Sequence, residues 1–192
     1  MRTGSIPGSG SRSISGQLRY ETVADNRKPI DLTSRLVSQP SSTIPGVPPF
    51  VLSAPEGWTT DRVPGALAVF RQPQPAGDFY SNAILSHSVA PKTFEFKQAA
   101  QATWAQLKRA NPDANPKFER MVAFGTNQVY LRGAELTREN KKYSQLHAIF
   151  FAPPPEGAKV VDYFQIVCVA PSDQIDAVGP EFMTLIGSFR FM

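Results

Sequence analysis

Residues 158–170 read AKVVDYFQIVCVA, and the alternation within this stretch decides the fold. In a β-strand successive side chains point to opposite faces. One face would carry Val160, Phe164, Ile166 and Cys168, broken only by Asp162; the other would carry Val161, Tyr163, Val167 and Val169, broken only by Gln165. A strand with one wet face alternates apolar with polar, whereas a strand apolar on both faces belongs to a sheet covered on both sides. The preceding segment repeats the pattern, with Ile149 and Phe151 on one face and Ala148 and Phe150 on the other. A layer is therefore expected on each face of the sheet.

Working outward, further strands are expected at residues 117–124, 128–138 and 142–152, joined by the connectors 125–127, 139–141 and 153–157. Connectors this short return the chain beside itself, so adjacent antiparallel pairing follows. Upstream, strands are expected at residues 50–52, 66–70 and 80–89, with the proline-rich 72–77 stretch (QPQPAG) forming a hairpin-type loop. Two segments can supply the covering layers. In residues 94–110, Phe96, Ala100, Trp104 and Leu107 make one apolar stripe, with Thr93 as expected N-cap and Asn111-Pro112 as stop. In residues 172–189, Ile175, Val178, Phe182, Leu185 and Phe189 recur at helical spacing after Ser172, a fair N-cap. Gly179-Pro180 is expected to split that segment into two helices, because proline lacks the N–H donor and clashes with the preceding turn. The expected class is α/β (α+β): an α/β/α sandwich on a mostly antiparallel sheet, forming one domain over residues 47–192.

Residues 1–46 read as a flexible arm. Its first 17 residues are Gly/Ser-rich, and apolar islands follow at Leu18, Val23, Ile30 to Leu32 and Leu36-Val37. Residues 1–50 hold six Lys/Arg against three acids, and the rest fourteen against thirteen, so the folded part is nearly neutral. A nucleic-acid-binding domain would show a basic face interleaved with aromatics, and none is expected here. No run long and apolar enough to form a membrane-spanning helix occurs. Cys168 is the single cysteine, so no internal disulfide forms. The start shows neither an apolar export segment nor a lipobox cysteine. Two expectations stand side by side: the protein stays inside a cell or virion, or an export signal has been removed and it belongs to the envelope or the exterior.

Candidate chemistry is sparse. His87 and His147 are the two histidines, each set in an alternating strand, and both are expected to be hydrogen-bonded packing residues. Cys168, in a strand apolar on both faces, is expected to act as a small hydrophobe. Glu135, Arg138, Glu139 and Lys141 surround a hairpin turn, where cross-strand charge pairing accounts for them. No nucleophile elbow, P-loop, dinucleotide fingerprint or calcium loop is present, so no catalytic residue, cofactor or metal is expected. Trp58 is expected to be a lid on the core. Residues 71–79, proline-stiffened and ending in Phe79-Tyr80, are the better docking surface, since a preordered loop loses less entropy on binding.

With the order of elements laid out, residues 48–192 resemble the superfamily of the photosystem II extrinsic protein PsbP and the Ran-binding Mog-type proteins. They are closest in character to the actinobacterial LpqN/LpqT family. The resemblance is carried by Ala54-Pro55-Glu56-Gly57-Trp58, by Pro64-Gly65 ahead of residues 66–70, by Ala99-Ala100 and Trp104, and by Phe182 with Ile186-Gly187-Ser188-Phe189. It implies a binding or accessory domain that docks onto larger partners. LpqN-type members are typically secreted lipoproteins, and the lipobox they carry does not occur in this sequence. The resulting expectation is a non-enzymatic accessory or interaction module. It would engage a protein partner or larger assembly through Ile30, Leu32, Leu36 and Val37 of the arm and Arg71, Phe79 and Tyr80 of the loop. The alternatives are a structural subunit of an envelope complex or virion, a carrier of a small molecule or lipid between sheet and helix, and a hydrolase. Oligomeric state stays open.

Overall fold

The short connectors of the second half of the chain each turn the strand straight back. The computed structural model describes the backbone of residues 36–39 and residues 46–192 in full. In it β6 (Asn115–Phe124), β7 (Asn127–Arg138), β8 (Lys141–Phe151) and β9 (Val160–Pro171) form an antiparallel meander. At the β7–β8 turn Glu139 and Asn140 both take positive φ, 51° and 61°, which matches the twist a two-residue hairpin turn needs. β5 (Asn82–Pro91) then pairs with β9, and β4 (Ala68–Arg71) and β3 (Thr59–Asp61) extend the sheet. The result is one seven-stranded antiparallel sheet, ordered β3-β4-β5-β9-β8-β7-β6.

One face is covered along the sheet and the other chiefly over β7 and β8, so the doubly apolar β9 is fully buried on one side only. One face of β9 (Phe164, Ile166, Cys168, Ala170) is buried in the main core. That core is closed by α2 (Ile175–Ser188) and a small sheet of β2 (Phe50–Ser53), β10 (Arg190–Phe191) and β1 (Leu36–Gln39). The rings of Phe50, Phe150, Phe164 and Phe189 meet at its centre, with centroids 4.5–5.5 Å apart. These four rings fill the centre of the space between sheet and α2. The opposite face takes α1 (Phe96–Ala110) over β7 and β8. Ala99 and Ala100 pack with Tyr130 and Ile149, and Leu107 with Leu136 and Tyr143. Because α1 lies over that half, Tyr163, Gln165, Val167 and Val169 on β9 are only half-buried.

Several local expectations are corrected. α1 starts at Phe96, not 94, and its N-cap is Glu95: the Glu95 carboxylate accepts from the Gln98 backbone, and the Glu95 N–H donates to Gln98 Oε1 at 2.6 Å. That reciprocal capping box satisfies two donors at once, which Thr93 could not. The C-terminal segment is one helix after a 3-10 turn (Ser172–Gln174), not two helices. Pro180 sits inside α2 and removes one bond, to the carbonyl of Asp176. Both residues are exposed, so the freed carbonyl is open to solvent. Ser172 opens the 3-10 turn, while Gln174 takes the N-cap position of α2 without a side-chain bond. The strand expected at residues 80–89 runs from Asn82 to Pro91, leaving Tyr80 in the loop. Leu36 and Val37, placed in the arm by the sequence, are residues of β1, whose backbone pairs with β2; Ile30 and Leu32 lie outside the described residues. Trp58 is the core lid expected: 7% exposed, edge-on to Phe182 at 5.8 Å, its indole N–H donating to Glu181 at 3.0 Å.

Candidate docking cleft

The loop between β4 and β5 folds as a small hairpin of its own. Gln72 N–H donates to Ser81 O at 2.9 Å, and Ala76 and Phe79 exchange backbone bonds of 2.8 and 3.2 Å around Gly77, whose φ is 65°. Three side-chain contacts brace it. Lys141 Nζ lies 2.6 and 2.8 Å from the two Asp78 carboxylate oxygens, Phe79 leans on Tyr143 with centroids 4.8 Å apart, and the Arg71 guanidinium sits 4.8 Å over the Tyr80 ring. The Lys141 bond holds the Asp78 carboxyl below its usual range, and Asp78 in turn raises Lys141. Arg71 also lies 3.2 Å from Asp61, a charge contact without an aligned hydrogen bond.

Pairing of Tyr143 with Pro171 brings the start of the 3-10 turn to the same end of the sheet. Between this turn, the loop tip and the β7–β8 turn lies a cleft of about 560 Å³, lined by residues 76–79, 141–143 and 171–174. Phe79 and Tyr143 give it an aromatic wall, and Lys142, Ser172, Asp173 and Gln174 a polar rim of both signs. Of the loop residues singled out by the sequence, Phe79 lines this cleft; Arg71 and Tyr80 stack on each other behind it. Ser81, at the base of the loop, is fully buried, and its hydroxyl has no hydrogen-bond partner among the described residues. An unsatisfied buried hydroxyl costs about 1–3 kcal/mol. Ser81→Ala is therefore expected to raise Tm by roughly 2–4 °C, the equivalent of about 1 kcal/mol in a chain of this size. A lowered Tm would mean that the hydroxyl is bonded.

The two histidines sit elsewhere. His87 Nε2 is 2.7 Å from Asp162 Oδ1, and its ring packs 5.0 Å from Phe164. His147 belongs to a polar row, buried at Arg132 and His147 and exposed at Glu119, that crosses the sheet under α1 and that the sequence did not reveal. In register, Glu119 faces Arg132 and Arg132 faces His147. Arg132 donates to Ala100 O at 2.8 Å and to Glu119 Oε2 at 3.0 Å, with its guanidinium 5.1 Å from the Trp104 ring and 5.3 Å from Tyr130. Tyr130 O–H donates to the same Glu119 oxygen at 2.5 Å; these bonds hold Glu119 low, while burial and Glu119 push Tyr130 up to about 12. The row clamps α1 to β6 and β7. A buried arginine within the apolar alternation of Tyr130, Ala134 and Leu136 was its only sequence signal. Cys168 is fully buried, and burial pushes its thiol up, so it resists forming a thiolate. Of the four hairpin charges Glu135 is paired across strands, 3.4 Å from Lys117 and 3.9 Å from Lys142, while Lys141 pairs with Asp78 of the β4–β5 loop instead. Among the described residues no three His, Cys, Asp or Glu side chains converge as a metal site would require.

No family model matches the chain, and no curated protein matches its sequence. Solved structures do match its fold. LpqN of Mycobacterium tuberculosis, described as involved in cell envelope biogenesis, is similar at a TM-score of 0.65 and 14% identity, over 83% of this chain and 93% of LpqN. The cyanobacterial PsbP of Synechocystis is similar at a TM-score of 0.54 and 17% identity, over 83% and 94% of the two chains. PA94 of Pseudomonas aeruginosa, a protein of unknown function, is similar at a TM-score of 0.50 and 9% identity, over 80% and 95%. The chain has the PsbP/LpqN-like fold that its sequence resembles.

Proposed function

We propose that this chain is a non-enzymatic accessory module that docks onto a larger protein or assembly, and that the cleft between residues 76–79, 141–143 and 171–174 is its docking surface. The observation that carries the reading is the bracing of the loop. Asp78 is tied to Lys141 and Phe79 is seated on Tyr143, so the aromatic wall is ordered before any partner arrives. An aromatic wall with a rim of both charges suits an extended polypeptide segment better than a single small anion or cation. The histidines are engaged in packing contacts and lie away from this cleft, and the fold is one whose known members, by the resemblance above, mostly dock onto larger partners.

The test is co-purification from the native source with a tagged full chain. Lys142→Glu and Asp173→Lys, both exposed, are expected to leave the fold intact and to reduce recovery of the partner about tenfold, the equivalent of about 1.4 kcal/mol. Recovery at the wild-type level with both substitutions would overturn the assignment. Loss only on removal of residues 1–35, which spares β1, would move the docking surface to the arm and to Ile30 and Leu32.

A further inference from the structure

The two ends of the seven-stranded sheet are built differently. β3 is three residues long and is soon followed by Pro64, the usual way a sheet edge is closed to further pairing. β6, at the other end, is ten residues long and pairs only with β7 among the described strands. Its protective features, Pro116 and a bulge before Phe118, are confined to its first three residues. From Phe118 to Phe124 the register with β7 is regular, and no described strand pairs with the outer edge.

This stretch carries apolar residues on both faces, with one charge on each. Phe118 is 44% exposed and Met121 49% exposed, while Val122 and Phe124 pack against the main core. Its two charges are partly engaged: Glu119 turns inward to Arg132 and Tyr130, and the Arg120 guanidinium lies 5.3 Å over the Phe118 ring. Phe118 is held flat on its neighbouring strand because Gly133 faces it, and a Cβ at Gly133 would come within 2.3 Å of the ring.

We infer that β6 is a self-association edge, at which a second copy of the chain pairs antiparallel along residues 118–124 about a two-fold axis at Met121, joining two seven-stranded sheets into one. The charge pattern is compatible with a second copy in one register. A two-fold axis normal to the sheet keeps each face continuous, so in every allowed register one residue faces its own copy. Centring on Glu119 or Arg120 sets like charges directly opposite each other, which is unfavourable. Centring on Val122 carries Phe118 past the strand into the 125–126 turn. Centring on Met121 sets Met121 against Met121, Phe118 against the partner's Phe124, Arg120 against the partner's Val122 and Glu119 against the partner's Ala123. No like charges stand directly opposite each other, the two Arg120 side chains being diagonal neighbours, and an aromatic pair closes each end.

The experiment is sedimentation equilibrium on the full chain from about 5 to about 200 μM, the range that populates a micromolar self-association. The wild type is expected to reach twice the chain mass. Met121→Lys and Met121→Glu are each expected to stay at the single-chain mass with the wild-type far-UV spectrum. An equimolar mixture of the two restores the doubled mass, because lysine then faces glutamate across the axis. Phe118→Lys, on the same strand, gives the single-chain result independently should either Met121 variant unfold. A wild type monomeric throughout the range, a dimer that survives both Met121 variants, or a mixture that stays monomeric would each overturn the inference. So would a β6 edge that becomes protected from amide exchange only when a different protein is added.

Discussion

Phe164→Ala is expected to be among the most damaging single substitutions in this chain, costing about 3–5 kcal/mol, the range for a buried phenylalanine truncated to alanine. The ring is fully buried on the inner face of β9, and it touches every layer on that side. It stands edge-on to Phe50 of β2 at 5.3 Å, lies 5.5 Å from Phe189 beyond α2 and 5.5 Å from Phe191 of β10, and packs 5.0 Å from His87 of β5. Truncation therefore leaves a cavity where the large sheet, the small sheet and the end of α2 converge, and several aromatic contacts beyond simple area burial are lost together. Thermal unfolding should show a Tm lowered by roughly 10 °C, given about 2–4 °C per kcal/mol at this size. Gln101→Ala, on the exposed side of α1, should stay within about 0.5 kcal/mol of the wild type. A loss below about 1 kcal/mol at Phe164 would mean that the ring is not the joint between the layers.

The second large effect is acid destabilisation through His147. Gln165 Nε2 donates to His147 Nδ1 at 3.1 Å, and His147 Nε2 donates to Gln145 Oε1 at 2.9 Å, so the network as arranged holds the neutral imidazole with its proton on Nε2. Burial disfavours the charged ring, the Arg132 guanidinium facing it across the strands adds repulsion, and together they push the pKa down to about 4. The unfolded chain takes up the proton near pH 6.5, while the folded chain refuses it until about pH 4. Stability from this group is thus fully present above pH 6.5 and declines as pH falls through that window. The total loss is about 3 kcal/mol at about 1.4 kcal/mol per pKa unit. Glu119, also held low, loses its contribution only at lower pH, below the ordinary carboxylate value of 4.5. Denaturant unfolding of the wild type and of His147→Gln at a series of pH values checks this. The variant should lose much less stability between pH 6.5 and 4, and the imidazole of the folded wild type should titrate near pH 4. An imidazole titrating near 6.5, or parallel pH curves, would show that the ring is solvated.

The β6–β9 meander was legible because its connectors leave no room for another topology, and because β9 is apolar on both faces. What was missed was short or non-local. β3 and β10 have three and two residues, too few for any periodicity to register. The unity of α2 depends on Pro180 facing solvent, which the local proline rule cannot foresee. The polar row under α1 hides in plain alternation: Arg132 occupies an inward position of β7, and only the register shows Glu119 and His147 beside it. The cleft was half legible. Phe79 stood out on its proline-stiffened loop, but the rest of the lining comes from Tyr143 and Ser172, which reach it through the pairing of β8 with β9.

The claim that matters most is that the braced cleft meets a polypeptide partner, and placement of a photo-crosslinking side chain tests it directly. Installed at position 142 on the rim of the cleft, it should yield one dominant crosslinked species in the native source. Installed at position 101, exposed on α1 away from the cleft, it should yield none. Equal crosslinking at both positions, or a species formed from position 30 or 32 and none from 142, would contradict the account.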